Sequence, residues 1–70
     1  MAANHPLRNW REKNRRTLEE FGQLIGKDKS TVCSYELGRR RPRYETLARI
    51  IVATEGEITA KDFMGREAAE

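Results

Sequence analysis

Two glycines four positions apart, Gly22 and Gly26, constrain the fold of this chain more than any other feature of its sequence. Leu18, Phe21 and Ile25 stand around them at the spacing of one helix face. Gly26 can end that helix, because glycine adopts the left-handed conformation of a helix C-terminus at little cost. The pattern therefore predicts a short amphipathic helix that stops sharply.

A second short helix follows directly after this turn. Asp28 can cap it, Val32 and Tyr35 repeat the apolar spacing, and Gly38 closes it. Gly22 is small enough to allow a close crossing of the two helices, although glycine costs a helix up to about 1 kcal/mol relative to alanine. Two short helices joined by a tight glycine turn predict a helix-turn-helix, in which the second helix enters the major groove of DNA.

The sequence also predicts where helices one, two and four begin. Pro6 suits the first turn of helix one, which is expected to run to about Asn14. Thr17 and Glu20 form a capping box that opens helix two. Pro42 begins helix four or lies just ahead of it. Helix four is expected to bury one apolar stripe, made of Tyr44, Leu47, Ala48 and Ile51.

The C-terminal third predicts one more helix. Residues 55–57, Glu-Gly-Glu, interrupt helix four. Thr59 and Asp62 then form a second capping box, which opens a short fifth helix carrying Phe63 and Met64. The chain shows no strand-like alternation and no internal repeat. The predicted fold class is therefore all-α, a compact five-helix domain with its helix-turn-helix in helices two and three.

Length and composition exclude several classes of protein. Seventy residues with a 37% hydrophobic fraction allow one small core and leave little room for an elaborate active site. A single cysteine excludes an internal disulfide, and no apolar run reaches the length of a membrane span or of a signal peptide. We expect a cytoplasmic domain over residues 7–65, with a flexible arm at residues 1–6 and a tail at residues 66–70.

Charge is distributed unevenly along the chain. Residues 1–49 carry a net charge of +6, whereas residues 50–70 carry −3. This asymmetry suits a molecule that turns one end toward phosphates and the other end away. A highly charged soluble surface is the alternative explanation.

Several short motifs follow one another in a fixed order: L-x-x-W-R-E at residues 7–12, the two-helix unit, Y-E-x-G-x-x-x-P at residues 35–42, and G-E-I-T-x-x-D-F at residues 56–63. In this order and spacing, residues 7–63 resemble the lambda-repressor-like family of Cro and XRE-type regulators. The closing motif is similar to the end of small phage and prophage Cro-like proteins. The resemblance implies a five-helix domain that binds operator DNA, usually as a two-fold dimer.

The resemblance also implies an ion pair between Glu36 and Arg11 of helix one, which would tie the DNA-reading helix to the scaffold. One position departs from the family, since Lys27 stands where an apolar residue usually follows the turn glycine. Its stem could cover the core while its ammonium reaches outward. Alternatively, the turn is slightly shifted, which would change the register of helix three.

If Val32 and Tyr35 face inward, the opposite face of helix three is the candidate for reading base edges. These side chains are small, and none is Arg, Asn or Gln, so we expect phosphate contacts to supply much of the affinity. An ordinary solvated helix face is the alternative. The predicted base-contacting residues are Lys29, Ser30, Cys33, Ser34 and Leu37.

A run of arginines directly after helix three is expected to lie along the DNA backbone, where contacts fix the register without reading sequence. The amide end of helix two is a further candidate phosphate site, and a solvated charge run is the alternative. The predicted phosphate-contacting residues are Lys27, Arg39, Arg40, Arg41, Arg43, Arg15 and Arg16.

Three functions compete at this point. The first is a sequence-specific DNA-binding regulator, a Cro-like repressor in a bacterial or phage-infected cell, with double-stranded operator DNA as partner and a homodimer as the binding form. The second is an antitoxin or accessory module that mainly binds another protein. The third, an enzyme or metal protein, is disfavoured, since the sequence has no paired carboxylates and no His/Cys cluster. We expect no cofactor, metal, membrane or small-molecule ligand.

The acidic C-terminal third offers the best surface for a dimer in this sequence. Its apolar residues Ile58, Phe63 and Met64 are the candidates. The same residues would equally serve to close the hydrophobic core of a single copy.

Overall fold

The computed structural model describes residues 5–63. Its four helices are α1 (Pro6–Lys13), α2 (Leu18–Ile25), α3 (Lys29–Glu36) and α4 (Tyr44–Ala53), and a fifth helical segment begins at residue 61. No strand occurs within these residues. The all-α, five-helix prediction is therefore confirmed, whereas the tail at 66–70 and Met64 lie outside the described residues.

The N-terminal boundary differs from the predicted one. His5 caps α1, because its Nδ1 accepts a hydrogen bond from the backbone N–H of Leu7 at 3.0 Å. Pro6 is the first helical residue, as its fixed φ favours. These two residues thus belong to the domain and not to a flexible arm, and the rest of the predicted arm lies outside the described residues.

The helix-turn-helix forms where the sequence predicts it. Thr17 and Glu20 make both hydrogen bonds of the capping box at the start of α2. Gly26 ends the helix with a left-handed backbone, at φ 74°. Asp28 caps α3 by accepting from the backbone N–H of Thr31 at 3.1 Å. The turn is therefore short, and its ends are fixed by local hydrogen bonds.

Gly22 is needed because the backbone of the turn passes over it. A Cβ at this position would lie 2.3 Å from the carbonyl oxygen of Lys27. The backbone N–H of Lys27 also donates to the Gly22 carbonyl at 2.8 Å, which holds the turn against α2. The Lys27 side chain is exposed, and α3 begins at Lys29 directly after its Asp28 cap. The register of α3 is therefore the predicted one.

One apolar core joins all the helices. Phe21 and Ile25 of α2 meet Leu7 of α1, Val32 of α3 and Ile50 of α4, and each of these side chains is fully buried. At roughly 1.5–3 kcal/mol for each large apolar side chain removed from water, this cluster supplies most of the stabilising free energy of so small a domain. Partly buried residues pack around it: Trp10, Leu18, Ala53 and Phe63.

The predicted buried stripe of α4 is wrong. Tyr44 is 85% exposed, Ala48 is exposed, and Leu47 and Ile51 are only half-buried. The buried positions are Thr46, Ile50 and, just beyond the helix, Thr54. The helix carries apolar residues on nearly every side, and two of the buried residues are threonines, so apolar periodicity selected the wrong face.

Thr54 is buried, and its hydroxyl forms hydrogen bonds with backbone groups at the C-terminal end of α4 and just beyond it. The hydroxyl donates to the carbonyl of Ile50 at 2.8 Å and accepts from the backbone N–H of Ile58 at 3.1 Å. This places Ile58 in the core, only 3% exposed. Phe63 packs against the same core. These two residues close the core of one copy, which is the second of the two roles considered for them.

The start of the fifth helical segment is fixed by half of the predicted capping box. The Asp62 carboxylate accepts from the backbone N–H of Thr59 at 2.8 Å. The ring of Phe63 then contacts the rings of His5 and Tyr35, with centroids 5.0 Å and 6.3 Å apart. The C-terminal segment thereby contacts both the N-terminal end of α1 and the inner face of α3.

This contact predicts a pH-dependent stability. Burial against Phe63 lowers the pKa of His5 from its usual value of 6.5, and the charges of Asp62 and Glu36 only partly oppose that effect. As the pH falls, His5 is therefore protonated at a higher pH in the unfolded chain than in the folded chain. The stabilising contribution of neutral His5 is complete above pH 6.5 and is lost as the pH falls below it.

Denaturant unfolding of the wild type and of His5→Asn at pH 7.5 and 5.5 measures this effect. Asparagine keeps the capping acceptor but does not titrate. The wild type is expected to lose more free energy of unfolding than the variant over this pH interval. Equal losses in the two proteins would show that His5 does not cause the pH dependence.

Candidate nucleic-acid interface

Helix α3 is held by its inner face and exposes its outer one. Val32 and Tyr35 are buried in the core, mainly against α2. On the other side, Lys29, Ser30 and Leu37 are exposed, whereas Cys33 and Ser34 are half-buried. The five residues predicted to contact bases therefore share the accessible side of the helix.

An ion pair fixes the C-terminal end of α3 to α1. The Arg11 guanidinium donates to both carboxylate oxygens of Glu36, from Nε at 2.7 Å and from Nη2 at 3.1 Å. The two side chains are only 12% and 6% exposed. The hydrogen bond to Glu36 is the main reason that the pKa of Arg11 is raised. Such a two-point contact restrains the orientation of α3 as well as its position.

The same guanidinium also holds the chain between α1 and α2. Its Nη1 donates to the carbonyl of Arg16 at 3.0 Å. Arg15, with a left-handed φ of 57°, and Arg16 are both exposed. The backbone of Arg16 is therefore connected through Arg11 to Glu36, at the C-terminal end of α3.

The N-terminal end of α3 is fixed by Asp28. Hydrogen bonds from Thr31 lower the pKa of the Asp28 carboxyl, and the nearby charge of Arg40 lowers it further. This carboxylate offsets positive charge at one end of the candidate interface. Lys27 and Lys29, which flank it, remain exposed to solvent.

The direction in which the arginine run continues from the end of α3 is determined by the backbone of Gly38 and Arg39. Gly38 has φ 77°, and the backbone N–H of Arg39 donates to the carbonyl of Ser34 at 2.9 Å. The side chains of Arg39, Arg40, Arg41 and Arg43 are all exposed. The loop thus presents four cations directly beyond the accessible face of α3.

The amide end of α2 is less favourable for a phosphate than the sequence suggested. Glu19 and Glu20 lie in the first turn, and Glu20 already accepts a hydrogen bond from the backbone N–H of Thr17. A phosphate at this end would meet two carboxylates. Arg15 and Arg16, which precede these carboxylates in the sequence, are exposed cations.

Tyr44 is an exposed residue beside the arginine run, although the apolar pattern of the sequence assigns it to the core. It is the first residue of α4, next to Arg43, and its ring is almost fully exposed. An exposed aromatic residue beside an arginine run can contact a DNA backbone, since its hydroxyl donates to phosphate oxygens. Its position directly after the run is the sequence signal that could have separated it from the core residues.

Residues 5–63 contain no group of three or more His, Cys, Asp or Glu side chains arranged to hold a metal ion. No helix within the same residues is long and apolar enough to span a membrane.

A family model described as a helix-turn-helix domain matches residues 5–56, which include the whole of α1 to α4. The curated proteins and the solved structures yield no significant match.

Proposed function

Because the chain belongs to the helix-turn-helix domain family of the Cro/XRE-like type, a family of DNA-binding domains, we propose that it is a sequence-specific transcriptional regulator. Specifically, it is a Cro-like repressor of phage or prophage type, which binds operator DNA as a homodimer in the cytoplasm of a bacterial or phage-infected cell. The observation that supports this most is the accessible face of α3, anchored at both ends and followed by four exposed arginines.

In this proposal, α3 lies in the major groove. Lys29 donates to O6 and N7 of guanine, and Ser30 and Ser34 donate to or accept from base edges. Cys33 and Leu37 lie against thymine methyl groups. Small side chains let the helix approach the bases closely, but they supply no bidentate pair from Arg, Asn or Gln.

Most of the affinity then comes from the phosphates. Lys27 and the exposed arginines before α2 and after α3 contact the DNA backbone on either side of the groove. Such contacts position the helix without reading sequence, and their number determines how steeply binding weakens with salt. Two copies on a near-palindromic site, about 34 Å apart, supply the specificity that one small domain lacks.

Arg43→Ala is expected to weaken binding to every DNA sequence and to reduce the salt slope by about 0.9, because the variant neutralises one phosphate fewer. Arg43 is exposed, and its side chain makes no capping hydrogen bond to α4, so the fold is unaffected. Lys61→Ala, which removes the same charge from the acidic end, is the matched control and should leave the slope unchanged. A mobility-shift titration at several salt concentrations measures both slopes, and identical slopes for the two variants would rule out a phosphate interaction at Arg43.

Ser34→Ala is expected to act differently, because Ser34 is assigned to the base edges. Its affinity should fall by about fivefold to tenfold on the preferred sequence, the equivalent of roughly one hydrogen bond, and little on unrelated DNA. Competition binding with a set of single-base operator variants measures this. A uniform decrease across all sequences would instead assign Ser34 to the backbone or to folding.

Selection of bound DNA from a random pool tests the proposed function as a whole. A near-palindrome with half-sites one helical turn apart is the expected result, with protection from cleavage on one side of the duplex. Recovery of unrelated sequences at every salt concentration would contradict sequence-specific regulation.

A further inference from the structure

His5 connects the N-terminal end of α1 to the last residues that the structure describes. Its Nδ1 accepts the capping hydrogen bond from the backbone N–H of Leu7 at 3.0 Å. The cap therefore requires the neutral ring, in which Nδ1 carries no proton and Nε2 carries one. The same ring contacts the ring of Phe63, with centroids 5.0 Å apart. A single imidazole thus caps α1 and packs against the C-terminal segment.

Protonation of His5 is incompatible with this arrangement for geometric reasons. Nδ1 would become a donor, and two N–H groups, its own and that of Leu7, would face each other. The imidazolium would also lie at the positive end of the α1 dipole, where a cation is disfavoured. The ring therefore has to turn away from Leu7, and its contact with Phe63 is lost when it turns.

The surroundings of the ring also disfavour its charged form. Burial lowers the pKa of His5 from its usual value of 6.5, and this effect exceeds the opposing ones. Two carboxylates act on the ring from the elements packed against it: Asp62 from the C-terminal segment, through its charge and a hydrogen bond to its backbone, and Glu36 from α3. Glu36 attracts the ring only weakly, because the Arg11 guanidinium already donates to both of its oxygens. Acidification therefore acts against the contact between His5 and the C-terminal segment.

Residues 59–63, the C-terminal latch, contain the first turn of the fifth helical segment. The backbone N–H groups of Asp62 and Phe63 each donate to the carbonyl three residues earlier, at 3.0 Å. The Asp62 carboxylate accepts from the backbone N–H of Thr59 at 2.8 Å. Local hydrogen bonds of this kind do not hold a helical turn in water by themselves. The order of the latch therefore depends on the ring of Phe63, which packs against the core.

The chain just before the latch is attached to the core separately. Ile58 is buried, and its backbone N–H donates to the Thr54 hydroxyl at 3.1 Å. This hydrogen bond involves neither His5 nor Phe63, so the latch can open while Ile58 stays in place. On the other side, the ring of Phe63 contacts that of Tyr35, with centroids 6.3 Å apart. Opening of the latch therefore removes one contact from the inner face of α3.

We propose that His5 and Phe63 form a proton-operated latch: neutral His5 holds residues 59–63 against α1 and α3, and protonated His5 releases them while α1 to α4 stay folded. The latch is closed above pH 6.5 and opens as the pH falls below that value. Closing and opening need no DNA, which separates the latch from the proposed function. The opening is local, which separates it from a loss of global stability.

Fluorine NMR distinguishes local opening from unfolding, because the chain has two phenylalanines. In protein labelled with 4-fluorophenylalanine, Phe63 reports on the latch, and the fully buried Phe21 is the matched control in the core. The change in fluorine chemical shift between H2O and D2O measures how far each ring is exposed to solvent. Between pH 7.5 and 5.0, this change should increase for Phe63 toward the value of free 4-fluorophenylalanine and stay near zero for Phe21. Phe63→Leu assigns the two signals.

The labelled variant His5→Asn tests whether the proton on His5 causes the opening. Asparagine keeps a capping acceptor for the backbone N–H of Leu7 but does not titrate. The solvent exposure of Phe63 in this variant should therefore be the same at both pH values, whatever its level. Phe21 again shows whether the core of the variant is folded.

Three results would overturn the proposal. The first is a wild type in which Phe63 is equally exposed at both pH values, and the second is the same increase in exposure in His5→Asn. The third is joint exposure of Phe21 and Phe63, which would show that acid unfolds the whole domain. Because none of these measurements contains DNA, their failure leaves the proposed function intact, and a failure to bind DNA leaves the latch intact.

Discussion

Gly22→Ala is expected to destabilise the domain by about 3 kcal/mol, even though alanine is the better helix former by about 1 kcal/mol. The added methyl group would lie 2.3 Å from the carbonyl oxygen of Lys27, and that atom belongs to the backbone of the turn. It moves only if α3 moves with it. A domain of this size has a total stability of roughly 4–10 kcal/mol, so the destabilisation is a large part of the whole.

Urea unfolding measures this change, with Gly38→Ala as the matched control. Gly38 has a positive φ of 77°, but no atom lies within 4 Å of the Cβ position. Gly38→Ala should lower the free energy of unfolding by only about 1–2 kcal/mol, the strain of a left-handed backbone at alanine. If Gly22→Ala proved as stable as the wild type, the close approach of the turn to α2 would not limit the fold.

The second large effect is expected for Arg11→Met, which should lower the free energy of unfolding by about 3 kcal/mol. The substitution removes both hydrogen bonds to Glu36 and the one to the carbonyl of Arg16. It leaves the Glu36 carboxylate 6% exposed and without its ion-pair partner. The end of α3 is then no longer attached to α1, so operator binding should weaken along with stability.

The pair Arg8–Glu12 provides the matched control, since its side chains are 48% and 49% exposed. Arg8→Met should change the stability by no more than about 0.5 kcal/mol. In addition, the double variant Arg11→Met, Glu36→Leu should recover part of the stability, because no unmatched charge remains. Chemical denaturation of all four proteins gives these differences, and equal costs for Arg11→Met and Arg8→Met would contradict a structural role for the Glu36 pair.

Local signals predicted the helix boundaries well. Capping residues such as Thr17 and Asp28 act on their own neighbours in sequence, and Gly26 satisfies a local backbone requirement. These interactions span only a few residues, so they can be read without knowledge of the tertiary fold. The fold class followed, because short helices in this order have few ways to pack.

Burial was harder to predict where apolar residues surround a helix. On α4 the choice between Tyr44 and Thr46 as a core residue depends on which neighbours cover the helix, and the packing of the helices buries Thr46 and Ile50 instead of Tyr44. The cap formed by His5 was missed for a similar reason, since its burial depends on Phe63, far away in sequence. The candidate surface for DNA could be proposed from the sequence because most of its residues lie in one stretch, from Lys27 to Arg43, and their contacts with DNA stay a prediction.

A disulfide cross-link at Cys33 tests the central claim most directly, that the outer face of α3 lies in the major groove. Cys33 is the single cysteine of the chain and stands at the middle of that face. The DNA recovered by selection is prepared with a thiol tether on either the major-groove or the minor-groove edge of one base. We predict efficient cross-linking from major-groove tethers at the centre of each half-site, and none with Cys33→Ser. Cross-linking from minor-groove tethers alone, or at no position on bound DNA, would contradict the account.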